Sequence, residues 1–265
     1  MNSKAQIMAT IGPATQSKEI IKKMIDKGMN ITRLNSSWGT YKEHAGYVKN
    51  IKEAREEVGK NIPIVLDLSG PRIQEIEGHK FNVEALKIIT DKDLADLKFG
   101  IEQNVDYVAM SFVGRKEDVL ELREKMKEFG KVVPIIAKIE RKVAVLNIDE
   151  IIKVSDAIMI ARGDLGNEVP LEQIPFIEED ILKKCKKEKK PVIVATQIME
   201  SMMKNPQPTR AEITDIAYAI LNGADILMLS EETAIGKYPL ESVMMMERGI
   251  IEAEKHLENI KINSL

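Results

Sequence analysis

The sequence predicts an α/β fold, a single (β/α)8 barrel of the TIM type, on three observations. Its 265 residues suit one large domain and match the usual length of such a barrel. Short β-rich runs alternate with longer amphipathic, charged segments along the whole chain. Several of these runs are apolar almost throughout, as strands covered on both faces must be. An open, doubly wound sheet is the main structural alternative.

Eight strands are predicted in succession, and eight strand–helix units in one domain's length favour the closed barrel. The strands cover residues 6–11, 30–34, 62–68, 107–112, 133–139, 157–161, 192–196 and 226–229. Helical patterns lie between them, for example at residues 41–58, 91–103, 116–129 and 209–221. One region is irregular. Between the third strand and the next helix, residues 69–89 are predicted to form a short excursion or hairpin within a domain that covers residues 1–265.

Composition excludes several classes of partner. The net charge of −3 does not point to nucleic acid or a membrane surface, and no apolar stretch is long enough to span a bilayer. The first residues lack the apolar core of a signal peptide. Cys185 is the sole cysteine, which excludes an internal disulfide and suits a reducing compartment. We therefore expect a cytoplasmic protein that binds neither nucleic acid nor membrane.

Polar residues follow the predicted strands at the end where a barrel builds its active site. They are Arg33, Asn35, Asp67, Ser111, Lys138, Glu140, Arg162, Gly163, Asp164, Thr196, Ser230, Glu231 and Glu232. A single charged residue after a strand usually caps a helix or faces solvent. Ionisable groups after at least five strands are harder to explain in that way, and together they predict one shared site.

The segment Lys138-Ile139-Glu140 places opposite charges on one face of a strand, because side chains alternate with a period of two. A structural ion pair is the simple interpretation. The functional interpretation is a cation for a phosphoryl or enolate oxygen beside a metal-binding carboxylate. Asp164 follows Gly163, and a glycine lets backbone N–H groups approach an anion closely. Two carboxylates beside an oxyanion suit Mg²⁺, which needs few protein ligands.

These residues lie in motifs that resemble the pyruvate kinase family, in its order and spacing over nearly the whole chain. The motifs are Thr10-Ile11-Gly12-Pro13-Ala14, Arg33-Leu34-Asn35, Lys138-Ile139-Glu140, Ala161-Arg162-Gly163-Asp164-Leu165-Gly166, Ala195-Thr196-Gln197 and Pro208-Thr209-Arg210-Ala211-Glu212. The resemblance implies the catalytic barrel of that family. It also implies a phosphoenolpyruvate- or pyruvate-like acid as substrate and Mg²⁺ or Mn²⁺ as cofactor.

The resemblance also implies roles for individual residues. Lys138 would stabilise the transferring phosphoryl group, while Glu140 and Asp164 would hold the divalent metal. The acid would be bound by Arg33, Lys138, Gly163, Asp164 and Thr196. Within this set, Gly163 and Asp164 would act through their backbone N–H groups, Thr196 through its hydroxyl and Arg33 toward the phosphate. Catalysis would then rest on Lys138, Arg33 and Thr196.

Some family features are not expected here. Residues 69–89 stand where the family inserts a lid domain, and its C-terminal domain is absent from this sequence. The third-strand motif Asp67-Leu68-Ser69-Gly70-Pro71-Arg72 resembles the potassium-independent branch. There the charge of Arg72 would replace a monovalent ion whose oxygen ligands would be Asn35, Ser37 and Asp67. We therefore expect potassium not to be required.

Three further departures concern the nucleotide. Gln74 replaces an arginine that contacts the transferring phosphate, Trp38 replaces a histidine near the nucleotide, and Glu231 replaces a glycine. These changes argue against tight binding of ADP or ATP while they spare the acid and metal site.

Three functions are compatible with this pattern. The leading hypothesis is a minimal pyruvate-kinase-like phosphotransferase. The second is a metal-dependent lyase of the oxaloacetate decarboxylase or aldolase type, because Mg²⁺ and Lys138 would stabilise a pyruvate enolate whether or not phosphate is transferred. The third is a non-catalytic, ligand-binding remnant of a pyruvate kinase. The sequence is also compatible with a homo-oligomer.

Overall fold

Strands and helices alternate along the chain in the computed structural model, which describes residues 3–75, 78–85 and 87–263. Within these ranges the side chains of residues 74, 75, 78, 79 and 260–263 are not described. The strands are β1 (Gln6–Thr10), β2 (Met29–Asn35), β3 (Ile64–Asp67), β4 (Arg72–Glu75), β5 (Gly78–Phe81), β6 (Tyr107–Met110), β7 (Ile135–Ile139), β8 (Ala157–Ala161), β9 (Val192–Ala195) and β10 (Ile226–Leu229).

Helices follow most of the strands. The α-helices are α1 (Lys18–Asp26), α2 (Tyr41–Val58), α3 (Asp91–Glu102), α4 (Lys116–Glu128), α5 (Lys142–Leu146), α6 (Ile148–Val154), α7 (Arg162–Leu165), α8 (Ile174–Lys187), α9 (Arg210–Leu221), α10 (Glu231–Ala234) and α11 (Pro239–Asn263). Short 3₁₀ turns cover Leu171–Gln173 and Glu200–Met203. None of the helices in the described part of the chain has the length and apolar character needed to cross a membrane.

The predicted fold class is confirmed. Eight strands form a closed barrel in the order β1-β10-β9-β8-β7-β6-β3-β2, and every strand pairing with a described register in it is parallel. The apolar runs of the sequence explain this, because every residue of β7 and β8 is buried, as strands covered on both faces require.

Polar residues fix where several helices begin. The Ser17 hydroxyl accepts a hydrogen bond from the N–H of Ile20 at the start of α1. At α3, Thr90 and Asp93 satisfy each other's backbone N–H groups in a capping box. Thr209 and Glu212 do the same at α9. Such caps satisfy N–H groups that have no partner inside the helix.

The chain forms two compact units. The first unit comprises Met1–Arg33, Lys42–Pro63 and Ile193–Leu265, and the second comprises Leu34–Tyr41 and Ile64–Val192. In the first unit β1 pairs with both β2 and β10, and β10 pairs with β9. In the second unit β3, β6, β7 and β8 pair in succession.

A small antiparallel hairpin, β4–β5, lies within the irregular region 69–89 of the second unit. It follows β3 through Gly70, whose φ of +65° lies in the left-handed region that favours glycine. The N–H of Asn82 donates to the carbonyl of Pro71 at 2.9 Å and closes the base of the hairpin. The side chain of Gln74, a residue with a predicted effect on nucleotide binding, lies outside the described ones.

Candidate active site

The second unit gathers polar residues at the carboxyl ends of its four adjacent parallel strands. Asp67 is the last residue of β3, and Ser111 directly follows β6. Lys138 lies near the end of β7, and Glu140 directly follows that strand. Asp164 lies in α7, immediately after β8. Since neighbouring parallel strands end at the same edge of a sheet, these side chains come from one edge.

The Lys138 ammonium is the centre of this cluster. Its Nζ lies 2.9 Å from Oε1 of Glu140 and 3.1 Å from Oδ1 of Asp67, and it donates a hydrogen bond to Oγ of Ser111 at 2.7 Å. Lys138 and both carboxylates are buried. A charge taken out of water is tolerated only when it is paired and hydrogen-bonded, and this lysine meets both conditions.

The Glu140 carboxylate is held by the protein on one side and repelled on another. Its Oε2 accepts a hydrogen bond from the N–H of Phe112 at 2.5 Å. Burial is the main cause that raises the pKa of Glu140, and the charge of Asp164 raises it further. Lys138 and the Phe112 N–H act in the opposite direction. The two carboxylates are therefore close enough to repel each other, a repulsion that a cation would relieve.

The residues of this cluster fit a divalent cation. The Lys138 ammonium approaches Oε1 of Glu140 at ion-pair distance but outside hydrogen-bond geometry, and this buried oxygen accepts no hydrogen bond within the described part of the chain. The Asp67 carboxylate pairs with the same ammonium, and the charge of Asp164 acts on Glu140, so carboxylate oxygens come from three neighbouring strand ends.

The protein provides few side-chain ligands for such a cation. The described residues hold no group of three or more His, Cys, Asp or Glu side chains arranged as metal ligands. Mg²⁺ tolerates such a small set because it keeps several waters.

The first unit holds Arg33 and Thr196. Arg33 is buried in β2, where its Nη1 donates to Oγ1 of Thr10 at 3.0 Å and to Oγ of Ser230 at 3.2 Å. Thr10 in turn donates to the carbonyl of Leu229 at 2.9 Å. The Arg33 contacts join the ends of three strands, because Thr10 ends β1 and Ser230 follows β10.

Thr196 follows β9 in an unusual backbone conformation. Its φ is +68°, and that of Gln197 is +54°. Two consecutive residues other than glycine in the left-handed region are costly, and such strain concentrates at functional sites. The Thr196 hydroxyl donates to the carbonyl of Ala195 at 2.7 Å. The sequence could point to Thr196 through its motif but could not show this strain.

The predicted monovalent-cation residues lie at the ends of β2 and β3 and in the loop after β2, and hydrogen bonds join these segments. The N–H of Ser37 donates to Oδ1 of Asn35 at 3.1 Å, and its Oγ lies 3.4 Å from Oγ of Ser69. The N–H of Ser36 donates to the carbonyl of Asp67 at 3.0 Å. The loop after β2 is therefore fixed against the end of β3, where Asp67 contacts Lys138.

Two cations lie near these loops. Nε of Arg72 donates to the carbonyl of Ser69 at 2.7 Å. Lys92, which sequence reasoning missed, donates from Nζ to the carbonyl of Ser36 at 2.7 Å and to Oγ of Ser69 at 3.2 Å. It also pairs with the buried carboxylate of Asp96 at 2.5 Å. The spacing of Lys92 and Asp96 by four residues on a helix was a usable signal for this pair.

The residues of the predicted nucleotide side are more exposed. Trp38 is 57% exposed in the loop after β2, and Glu231 is exposed at the start of α10. Gly163 lies in α7, directly before Asp164. The predicted weakening of nucleotide binding by Gln74 concerns a side chain that lies outside the described ones.

Comparison with known proteins gives a consistent result. The family model for the pyruvate kinase barrel domain matches residues 2–87 and 75–243. A pyruvate kinase of Thermotoga maritima is 38% identical over 333 aligned positions, which cover 96% of this chain and 72% of that protein. A pyruvate kinase of Dictyostelium discoideum is also 38% identical, with 95% of this chain and 66% of that protein covered.

A third relative, the pyruvate kinase of Bacillus licheniformis, is 37% identical over 98% of this chain, which spans 59% of that protein. The alignments extend over more positions than the 265 residues of the chain, so the relatives carry inserted residues. The two matched pieces of the family model overlap at residues 75–87, which include the last residue of β4 and all of β5. On these matches, the chain belongs to the pyruvate kinase family.

Proposed function

We propose that this chain is a pyruvate-kinase-type phosphotransferase that acts on phosphoenolpyruvate or pyruvate together with Mg²⁺ or Mn²⁺. The observation that carries the proposal is the buried Lys138 ammonium, fixed by Asp67, Glu140 and Ser111 at the carboxyl ends of adjacent strands. A positive charge preorganised in this way costs little to reorganise when negative charge develops on a substrate oxygen. Such preorganised charge commonly contributes more to the rate of an enzyme than any other single effect.

Each candidate residue has a role in this proposal. Glu140 and Asp164 would hold the metal, which when bound supplies a Lewis acid for the carboxylate and enolate oxygens of the acid. Lys138 would stabilise the charge on the transferring phosphoryl group. Arg33, already oriented by the hydroxyls of Thr10 and Ser230, would bind phosphate.

The carboxylate cradle rests on the family resemblance together with local geometry. Gly163 and Asp164 would offer backbone N–H groups to the carboxylate, and Thr196 would offer its hydroxyl. The paired left-handed residues Thr196 and Gln197 support this role, because backbone strain tends to persist where function requires it.

Two further features follow from the proposal. We expect potassium to be dispensable, because Arg72 and Lys92 already bring positive charge to the segments that follow β3 and β2. We expect ADP and ATP to bind weakly, since Trp38, Gln74 and Glu231 depart from the family pattern. The buried thiol of Cys185, which forms no disulfide, suits a cytoplasmic setting.

The test is a coupled assay for pyruvate with phosphoenolpyruvate, ADP and Mg²⁺. We expect turnover in the wild-type protein. Asp164→Asn should lower it by about 10²-fold or more, because the substitution removes a metal-binding charge with little change in size. Glu172→Gln, an exposed carboxylate in the 3₁₀ turn after α7, is the matched control and should leave turnover unchanged. Unchanged turnover in Asp164→Asn would reject the assignment of this ligand.

A metal-dependent lyase is the second candidate function. It is favoured by the inserted residues that the relatives carry and by the short β4–β5 hairpin in the region where the matched pieces overlap. Closure over a transferring phosphoryl group excludes water, and a shorter insertion would weaken that step more than enolate stabilisation.

Oxaloacetate distinguishes these alternatives. Release of pyruvate from oxaloacetate and Mg²⁺, without turnover of phosphoenolpyruvate and ADP, would establish the lyase in place of the kinase. A protein that binds oxalate with Mg²⁺ but turns over neither substrate would be the non-catalytic remnant.

A further inference from the structure

Phe112 occupies a backbone conformation that a bulky residue adopts only when its surroundings force it. Its φ is +56°, in the left-handed region, and its side chain is fully buried. Such a conformation is unfavourable for a residue other than glycine and persists only where the surrounding structure enforces it. In this conformation the Phe112 N–H donates to Oε2 of Glu140 at 2.5 Å. Whatever fixes Phe112 therefore also fixes one oxygen of a candidate metal ligand.

The β4–β5 hairpin packs directly on the Phe112 ring. The ring of Phe81, the last residue of β5, lies 5.4 Å from the Phe112 ring between centroids, at an interplanar angle of 50°. The guanidinium of Arg72, the first residue of β4, lies 5.6 Å from the Phe112 ring centroid. Aromatic pairs and cation–π contacts of this kind are attractive, so the hairpin helps to hold the Phe112 ring in place.

Gly70, which leads into the hairpin, supplies the space for the Phe112 ring. A Cβ atom at this position would lie 2.7 Å from Cδ2 of Phe112, closer than real Cβ contacts. The residue thus combines a left-handed backbone with the close approach that the ring requires.

Arg141 joins the hairpin to the strand end that carries Glu140. Its guanidinium lies 3.9 Å from the centroid of the Phe81 ring, and its Nη1 donates to the carbonyl of Phe112 at 3.4 Å. Phe112 is therefore held at both of its peptide groups by two consecutive residues, since Glu140 accepts from its N–H and Arg141 donates to its carbonyl. Phe81 fixes Arg141 and the Phe112 ring at the same time.

We propose that the β4–β5 hairpin is a positioning element of the acid and metal site, in which Phe81, stacked against Arg141, holds Phe112 so that its N–H fixes Glu140. The metal-binding part rests on the proposed function, whereas the fixing of the Phe112 amide does not. The residues at which the matched pieces of the family model overlap, 75–87, include β5 and with it Phe81. Phe81 is a positioning residue and contacts no substrate in this proposal.

The test compares Phe81→Ala with Val83→Ala, a substitution of an 81% exposed residue two positions along the chain. Mn²⁺ titration measures the metal ligand, and hydrogen exchange of the Phe112 amide measures its hydrogen bond to Glu140. Loss of a group that orients a metal ligand typically weakens metal affinity by about 10–100-fold. We expect an effect of this size and faster exchange in Phe81→Ala, and neither change in Val83→Ala.

Further variants separate positioning from simple packing. Phe81→Tyr keeps the aromatic face and should restore both readouts, whereas Phe81→Leu keeps apolar bulk without that face and should not. Phe81→Leu also serves if Phe81→Ala fails to fold. Arg141→Met should reproduce the effect of Phe81→Leu, and the double variant should be little worse than either single one, because both residues act through Phe112.

The two readouts distinguish failure of the inference from failure of the proposed function. Mn²⁺ affinity and Phe112 exchange in Phe81→Leu equal to those in Val83→Ala would overturn the positioning role while leaving the metal site intact. Absence of Mn²⁺ binding in the wild-type protein would overturn the metal site. Amide exchange would then still support or refute the fixing of Phe112, because it requires no metal.

Discussion

In the second unit the central cation is packed against ions, whereas in the first unit the buried arginine contacts hydroxyl groups. Lys138 lies within 3.1 Å of both Asp67 and Glu140, and all three are buried. Arg33 donates to Thr10 and Ser230, whose hydroxyls carry no charge. A buried ion pair depends on both partners, since removal of one leaves the other uncompensated in a medium of low dielectric constant. A hydroxyl that loses a cation loses one hydrogen bond.

One buried carboxylate in each unit also differs in the donors that it accepts from. In the first unit the buried Glu232 accepts hydrogen bonds from the N–H of Ser230 at 2.7 Å and of Met199 at 3.2 Å, so it ties together the segments after β10 and β9. In the second unit Asp96 is tied to charged and phenolic donors, Lys92 and Tyr41. The comparison teaches that Glu232 is held by neutral backbone donors, whereas Asp96 is held by an ammonium and a phenol.

The largest expected effect on stability tests the ion pairs of Lys138 in the second unit. Lys138→Met should lower the free energy of unfolding by about 3–5 kcal/mol, because it leaves the buried carboxylates of Asp67 and Glu140 without their cation. Urea denaturation measures the loss. If Lys138→Met proved as stable as the wild type, the carboxylates would be compensated by another group and the charge-balance account would be wrong.

Arg33→Met is the matched variant in the first unit. We expect a smaller loss of about 1–3 kcal/mol, because Thr10 keeps its hydrogen bond to the carbonyl of Leu229 when the guanidinium is removed. If Arg33→Met lowered the free energy of unfolding as much as Lys138→Met, the hydroxyl contacts of Arg33 would matter as much for stability as the ion pairs of Lys138.

The next effect concerns pH and Glu232. Burial, the largest cause, raises the pKa of this carboxyl above its ordinary value of 4.5, against the hydrogen bonds from backbone N–H groups. The folded state therefore holds the proton to higher pH than the unfolded state does, and stability falls as pH rises above 4.5 through the raised pKa. Glu232→Gln removes this dependence. The difference in urea midpoint between wild type and variant should shift against the wild type as pH increases, and a constant difference would contradict the raised pKa.

The smallest effect is spectroscopic and belongs to the second unit. Burial and then the hydrogen bond to Asp96 raise the pKa of Tyr41 to about 12 from 10.0. The neutral phenol is thus favoured by folding, and its contribution is lost as pH rises from 10.0 through about 12. Ultraviolet titration should show a tyrosine component at this pH that Tyr41→Phe abolishes. A titration curve that the substitution leaves unchanged would show that Tyr41 is not held as described.

Much of the fold was predictable because its signals are local. Apolar runs gave the strands, and the helix predicted at residues 41–58 is α2 with the same bounds. The period-two spacing of Lys138 and Glu140 predicted that these two side chains lie on the same face of one strand. Asp67 was predicted as an oxygen ligand in a possible monovalent-cation site, and the structure also makes it an ion-pair partner of Lys138. That pairing depends on which strands are neighbours.

The sequence by itself determined the alternation of strands and helices, the barrel, the family and the chemistry-bearing residues at the strand ends. Only the tertiary structure decided which groups hold them. Phe81, Phe112 and Arg141 are separated by 31 and 29 residues, yet they contact one another around Glu140. The left-handed backbone of Phe112 and Thr196 is equally invisible in sequence, because residues other than glycine enter that region only when surrounding contacts stabilise it.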